Sequence, residues 1–248
     1  MYFFVYYCSS HNLVIMMRGD KIMKNLLDLI KATDNLYNYL INKGVKFNKE
    51  GFPIINKDMF ITETPEMIVP YCHRKDKIIK NKKKTLICTF NSDEHIYPRI
   101  INVFKDIKEY KKYMGVVMLD LTVTKDMDYE WQLFTILINQ LYAAVLAVNN
   151  IKIAFNTRIG SIESIISYNS IPKNVLCVSS FLGCKKDKES DFEYISKILH
   201  LLPSEIVIYG KQDINVNNKL NTLGFNYKYF KDFHSLSKGG KKYGRCKK

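Results

Sequence analysis

The chain has 248 residues, 47% of them hydrophobic, and a formal net charge of +14 at pH 7. That is apolar length enough for one large or two small domains with a sizeable core, which excludes a disordered chain. With no uninterrupted apolar run near the ~20 residues that cross a bilayer, it also argues against a membrane partner. Six cysteines without C-x-x-C spacing fit a reduced, cytoplasmic setting.

The charge is unevenly placed. Residues 1–84 carry 15 Lys/Arg against 8 Asp/Glu, residues 85–210 carry 13 against 14, and residues 211–248 carry 10 against 2. The flanks are therefore basic around a neutral middle. Arginine is scarce, and Lys, Asn, Ile and Tyr abound, a bias that an AT-rich coding genome also produces.

In chain order, MYFFVYYC lacks a positive region before its apolar residues and a small-residue cleavage site after them, so it makes a poor signal peptide. Arg18-Gly19-Asp20-Lys21 can be encoded by a purine run resembling a bacterial ribosome-binding site. Translation is accordingly expected to start at Met23, with residues 1–22 an over-extended reading.

Within residues 23–70, Leu26, Leu27, Leu29, Ile30, Leu36, Leu40 and Ile41 recur at helical spacing up to Gly44. The Pro-containing remainder reads as an irregular wrap. Residues 71–84 form a basic loop holding Arg74, Lys75, Lys77, Lys80, Lys82, Lys83 and Lys84, either a solvated face or a polyanion contact.

Residues 85–211 repeat a short apolar run followed by a longer amphipathic stretch. The runs are Leu86 to Phe90, Val116 to Leu121, Ile151 to Phe155, Val175 to Ser179 and Ile206 to Tyr209. Helices are expected at 99–112, 130–148, 161–168 and 190–202. This is the pattern of an α/β fold with a predominantly parallel sheet of about five βα units, either open or a partial barrel. The helix carrying Gln132, Asn139 and Gln140 reads as core. Residues 212–236 hold an edge strand near Phe225 to Phe230, and the tail 237–248 is expected to be disordered.

Parallel sheets bind ligands at the C-terminal ends of their strands. Those ends carry Asn91 to His95, then Asp120, Thr122 and Thr124, then Arg158, then Ser180 and Gly183, then Gly210 and Lys211. Asp120, Arg158 and Lys211 are the candidate catalytic set, suited to acid–base work or to holding a phosphate; capping and turn roles compete at each position. Neither a G-x-x-x-x-G-K-[ST] loop, a G-x-G-x-x-G loop nor a G-x-S-x-G elbow is present. Cys72, His73, Cys88 and His95 match no usual zinc spacing, so neither metal nor cofactor is expected. Cys177 and Cys184 read as packing residues rather than nucleophiles.

Gly115 to Thr122 (GVVMLDLT), Gln132 to Asn139, Ile171-Pro172-Lys173, Val178-Ser179-Ser180 with Gly183, and Ile208-Tyr209-Gly210-Lys211 together resemble the domain of unknown function 4417 family. This is a bacterial family frequent in phages and mobile elements, and the resemblance covers somewhat over half the chain. It implies the fold and a mobile-element setting, and it implies no reaction. Phe134, Ile138 and Gln140 stand where members usually show an aromatic and arginines, and Phe155-Asn156 replaces a usual Pro-Thr, which implies an altered or lost activity.

Three readings follow, in order of weight. The first is a phage or mobile-element accessory protein that contacts nucleic acid, or a nucleoprotein complex, through the 74–84 cluster and through Lys238, Lys241, Lys242 and Arg245, with Tyr227, Tyr229 and Tyr243 available for stacking. The second is a protein-directed inhibitor of a host defence nuclease. The third is an enzyme on a phosphorylated substrate that uses the strand-end rim.

Overall fold

The computed structural model describes residues 20–180 and 190–237. The candidate positions Gly183, Cys184, Lys238, Lys241, Lys242, Tyr243 and Arg245 lie outside them. The fold is α/β. Seven parallel strands stand in chain order: β1 Met67–Pro70, β2 Thr85–Cys88, β3 Gly115–Val117, β4 Ile153–Asn156, β5 Leu176–Ser180, β6 Glu205–Tyr209 and β7 Tyr227–Phe230. Helix α1 is Asp20–Asn42, α2 Asp93–Ile101, α3 Val103–Tyr110, α4 Tyr129–Val148, α5 Asp191–Leu201, α6 Ile214–Thr222 and α7 Phe233–Ser237, with a 3-10 segment over Ile162–Ser170.

Strand side chains alternate between two clusters, as a period of two requires. Ile87, Val116, Ile153, Phe155 and Cys177 pack under the helices, around α4. Ile68, Leu86, Cys88, Val117, Ala154, Leu176, Val178, Val207 and Tyr209 pack on one another. A sheet face that buries itself against strands alone must be curled. The rings of Phe90, just past β2, and Tyr209, in β6, are 5.3 Å apart although their strands are not neighbours. The sheet is therefore almost a barrel. At its seam, where β1 and β7 share no ladder, Phe233 stacks on His73 at 4.3 Å and its amide donates to Tyr209 OH.

One strand more than expected is present, since the edge strand expected near Phe225 to Phe230 is β7. β1 lies inside the segment read as an irregular wrap, and its apolar run of Met67, Ile68 and Val69 between Pro65 and Pro70 is too short to register as a strand. The expected helix at 99–112 is two helices that break at Asn102, whose side chain donates to Pro98 O and competes with the helical ladder. Among the described residues, α4 alone is long and apolar enough to cross a membrane, but most of it is buried within the fold, as its reading as core requires. Its polar side chains serve packing. Gln140 donates to Ser167 O and accepts from Ser170 Oγ, and Gln132 accepts from Ser161 N and donates to Met127 O. Cys88 and Cys177 are buried free thiols, whereas Cys72 is disulfide-bonded, a departure from the reduced cysteines expected from their spacing.

Gly115 opens β3 at a close approach: a Cβ there would meet Lys152 O at 2.4 Å and Ile61 Cδ1 at 2.7 Å. Gly115→Ala is therefore expected to cost roughly 2 kcal/mol or more by forcing β3 away from β4. Urea denaturation checks this, with unchanged stability as the contrary result.

Candidate functional site

The exits of β2, β3 and β4 place polar residues together on one rim. Asp93, in the first turn of α2, accepts from Thr122 N at 3.0 Å and Thr122 Oγ1 at 3.1 Å, which ties the β2 exit to the β3 exit. Asp120, beyond β3, accepts from Asn156 Nδ2 at 2.9 Å, and the same amide donates to Leu119 O. Arg158, beyond β4, has a guanidinium nitrogen 3.8 Å from the Asp120 carboxylate, with the two side chains only 21% and 11% exposed. Thus Asp120 and Arg158 meet as neighbours on adjacent strands. Lys211 does not join them: it is exposed and makes no hydrogen bond or ion pair with either.

A second polar layer lies beneath. Thr157 Oγ1 bonds Ser179 Oγ at 2.8 Å, and Ser179 Oγ bonds Tyr194 OH at 3.1 Å. Lys197, 4% exposed, donates to Thr157 O at 2.7 Å. A lysine this buried is uncommon away from functional or paired settings. Its only sequence signal was its place beside the apolar stripe of Tyr194, Ile198 and Leu201, where a solvent-facing lysine does not belong. The start of α5 is fixed by a capping box between Ser190 and Glu193, and Lys125 pairs with Glu193 at 2.6 Å. Although burial raises the Glu193 carboxyl, the hydrogen bonds from Lys125 and Ser190 hold it down to about 2.

Burial dominates Asp120. It pushes the carboxyl above its ordinary range, and Asp93 adds to this, against the opposing pull of Arg158, Asn156 and Lys197. An acid so placed exchanges a proton nearer to neutrality than an exposed aspartate does. The cavity beside Arg158 and Asn156 has room for about one water molecule, so anything larger can meet the rim only from outside. Cys88, inside the curled sheet, is a poor nucleophile because burial pushes its thiol up to about 12.

The basic loop is divided in use. Arg74 stacks on the Tyr71 ring at 3.9 Å, and Arg99 stacks on the same ring at 4.4 Å. Tyr71 OH and Arg99 both bond Asp106. Lys82 lies over Tyr113, Lys83 donates to Lys111 O, and Lys84 pairs with Glu63 at 2.6 Å. Lys75, Lys77 and Lys80 are exposed and have no ion pair among the described residues. Comparison of the chain with family models, curated proteins and solved structures yields no match.

Asp120→Asn keeps the shape and the acceptor oxygen. Because folding raises the Asp120 pKa, its ionisation opposes the folded state as pH rises through the raised value, and below the ordinary value this penalty is absent. The variant is therefore expected to match wild type near about pH 4 and to exceed it in stability toward about pH 8. Urea titrations at the two ends check this. A variant weaker by ~1–3 kcal/mol throughout would mark Asp120 as structural.

Proposed function

We propose that the rim is the reactive site of an enzyme acting on a phosphorylated or otherwise anionic substrate. Asp120 exchanges the proton, and Arg158, backed by the buried charge of Lys197, orients the anion. The observation that carries this reading is the desolvated Asp120 carboxyl held by Asn156 and Arg158 at adjacent strand ends, where parallel sheets place their chemistry. Such an acid costs stability, and it persists where its reactivity is used.

The test incubates wild type, Asp120→Asn and Arg158→Met with a panel of phosphorylated small molecules and phosphate-ended oligonucleotides, read by mass spectrometry. Wild type is expected to convert a member of the panel, and Asp120→Asn to do so at least about a hundredfold more slowly at a melting temperature no lower than that of wild type. Conversion by Asp120→Asn at the wild-type rate, or no conversion of any member by wild type, overturns the reading.

A second reading rests on Lys75, Lys77 and Lys80, exposed and without acidic partners among the described residues: a phage or mobile-element accessory protein that contacts nucleic acid through its basic flanks. That setting is what the resemblance noted in the sequence implies. Fluorescence anisotropy with labelled single- and double-stranded DNA and RNA across a salt series is expected to show binding that falls steeply with salt. Changing the three lysines to Glu should weaken it at least about tenfold. No binding at moderate salt turns attention to an acidic protein partner, such as a defence nuclease.

A further inference from the structure

At the opposite end of the sheet, the leads into β1, β2, β3 and β4 enclose a cleft of about 370 Å3, a size that takes a small ligand. Its floor is apolar and buried, formed by Phe60, Tyr110, Tyr113 and Ile151. Its walls carry Lys83, Lys111 and Lys152. Lys83 and Lys152 donate to backbone carbonyls, of Lys111 and Asp58, which leaves their positive charge uncancelled. Among the described residues the Lys111 ammonium has no hydrogen-bond or ion-pair partner. The acid on the wall, Glu63, is already neutralised by Lys84 at 2.6 Å. Lys112 is likewise spent on Glu109 at 2.5 Å. The cleft therefore presents three cationic groups that no carboxylate of the described residues balances.

We propose that this cleft binds an oligophosphate chain, free or carried by a nucleotide. Several negative charges within a few ångströms of chain match three clustered ammonium groups. Ammonium groups bind phosphate as point charges without the planar fork that favours single carboxylates. The exposed Thr62 and Asn150 at the mouth add hydrogen-bonding groups for phosphate oxygens. The site is independent of the Asp120 rim, from which the length of the strands separates it.

Isothermal titration of the full chain with inorganic tripolyphosphate, at low salt, is the test. Wild type is expected to bind with a Kd on the order of micromolar to tens of micromolar. Lys111→Gln, whose ammonium holds no structural contact, should weaken binding by about fivefold or more, and Lys83→Gln/Lys111→Gln/Lys152→Gln by about a hundredfold. Circular dichroism establishes that both variants fold. A nucleoside triphosphate that binds as tightly as tripolyphosphate shows that the phosphate chain alone is recognised, and one that binds more tightly shows a nucleotide-borne chain. No binding by wild type, or wild-type affinity in Lys111→Gln and the triple variant alike, overturns the proposal. So does equal weakening by Lys31→Gln/Lys46→Gln, two exposed lysines outside the cleft, which would mark diffuse charge attraction.

Discussion

A parallel sheet built from strands apolar on both faces has to keep water from both, and in this protein the two faces are covered by different means. Helices shield the outer face, with α4 at the centre. Among the described residues no helix packs into the cluster on the inner face, which is buried by curling the strands until Phe90 meets Tyr209. Small residues make that curl feasible: Ala154 and Val117 occupy the interior, and Gly115 lets β3 lie against the carbonyl of Lys152. The hydrophobic term rewards closure of the sheet, and the geometry of closure then gathers the strand ends.

From that gathering come the electrostatics of both ends. At the C-terminal rim the polar groups are drawn inward and partly dried, so Asp120 and Arg158 interact in a medium where charge is costly and influential. At the N-terminal end the leads into the strands stay open to water, and the ammonium groups of Lys83 and Lys152 bond backbone carbonyls rather than carboxylates. A single fold thus presents a desolvated polar rim and an open cationic cleft, which differ in water access more than in residue type.

Much of the architecture was legible in the amino-acid order because strands buried on both faces read as plain apolar runs; β2 to β6 were visible for this reason, with boundaries within a few residues. β1 was not, because three apolar residues between prolines carry no period. Helix α6, INVNNKLNT, buries only Val216 and Leu220, and its asparagines mask it. Asp120 and Arg158 could be placed on the rim from their position after strands, since register alone puts them there. Lys197 could not, because a lysine in an amphipathic helix is read as solvent-facing until its helix is seen turned inward. Lys211 shows the converse: a place at a strand end fixes the rim but not the direction of a long side chain.

The ladder of backbone hydrogen bonds runs from β1 to β7 and stops. A fully closed barrel has no first or last strand, and it can be cut and rejoined at any loop with equal loss. Here the break already exists, bridged by the rings of His73 and Phe233 rather than by backbone. A chain reopened at another loop would keep the same six ladders, and the same two strand edges would still face each other at the break. Side-chain rings rather than backbone would have to hold those edges together in any such version, as they do here.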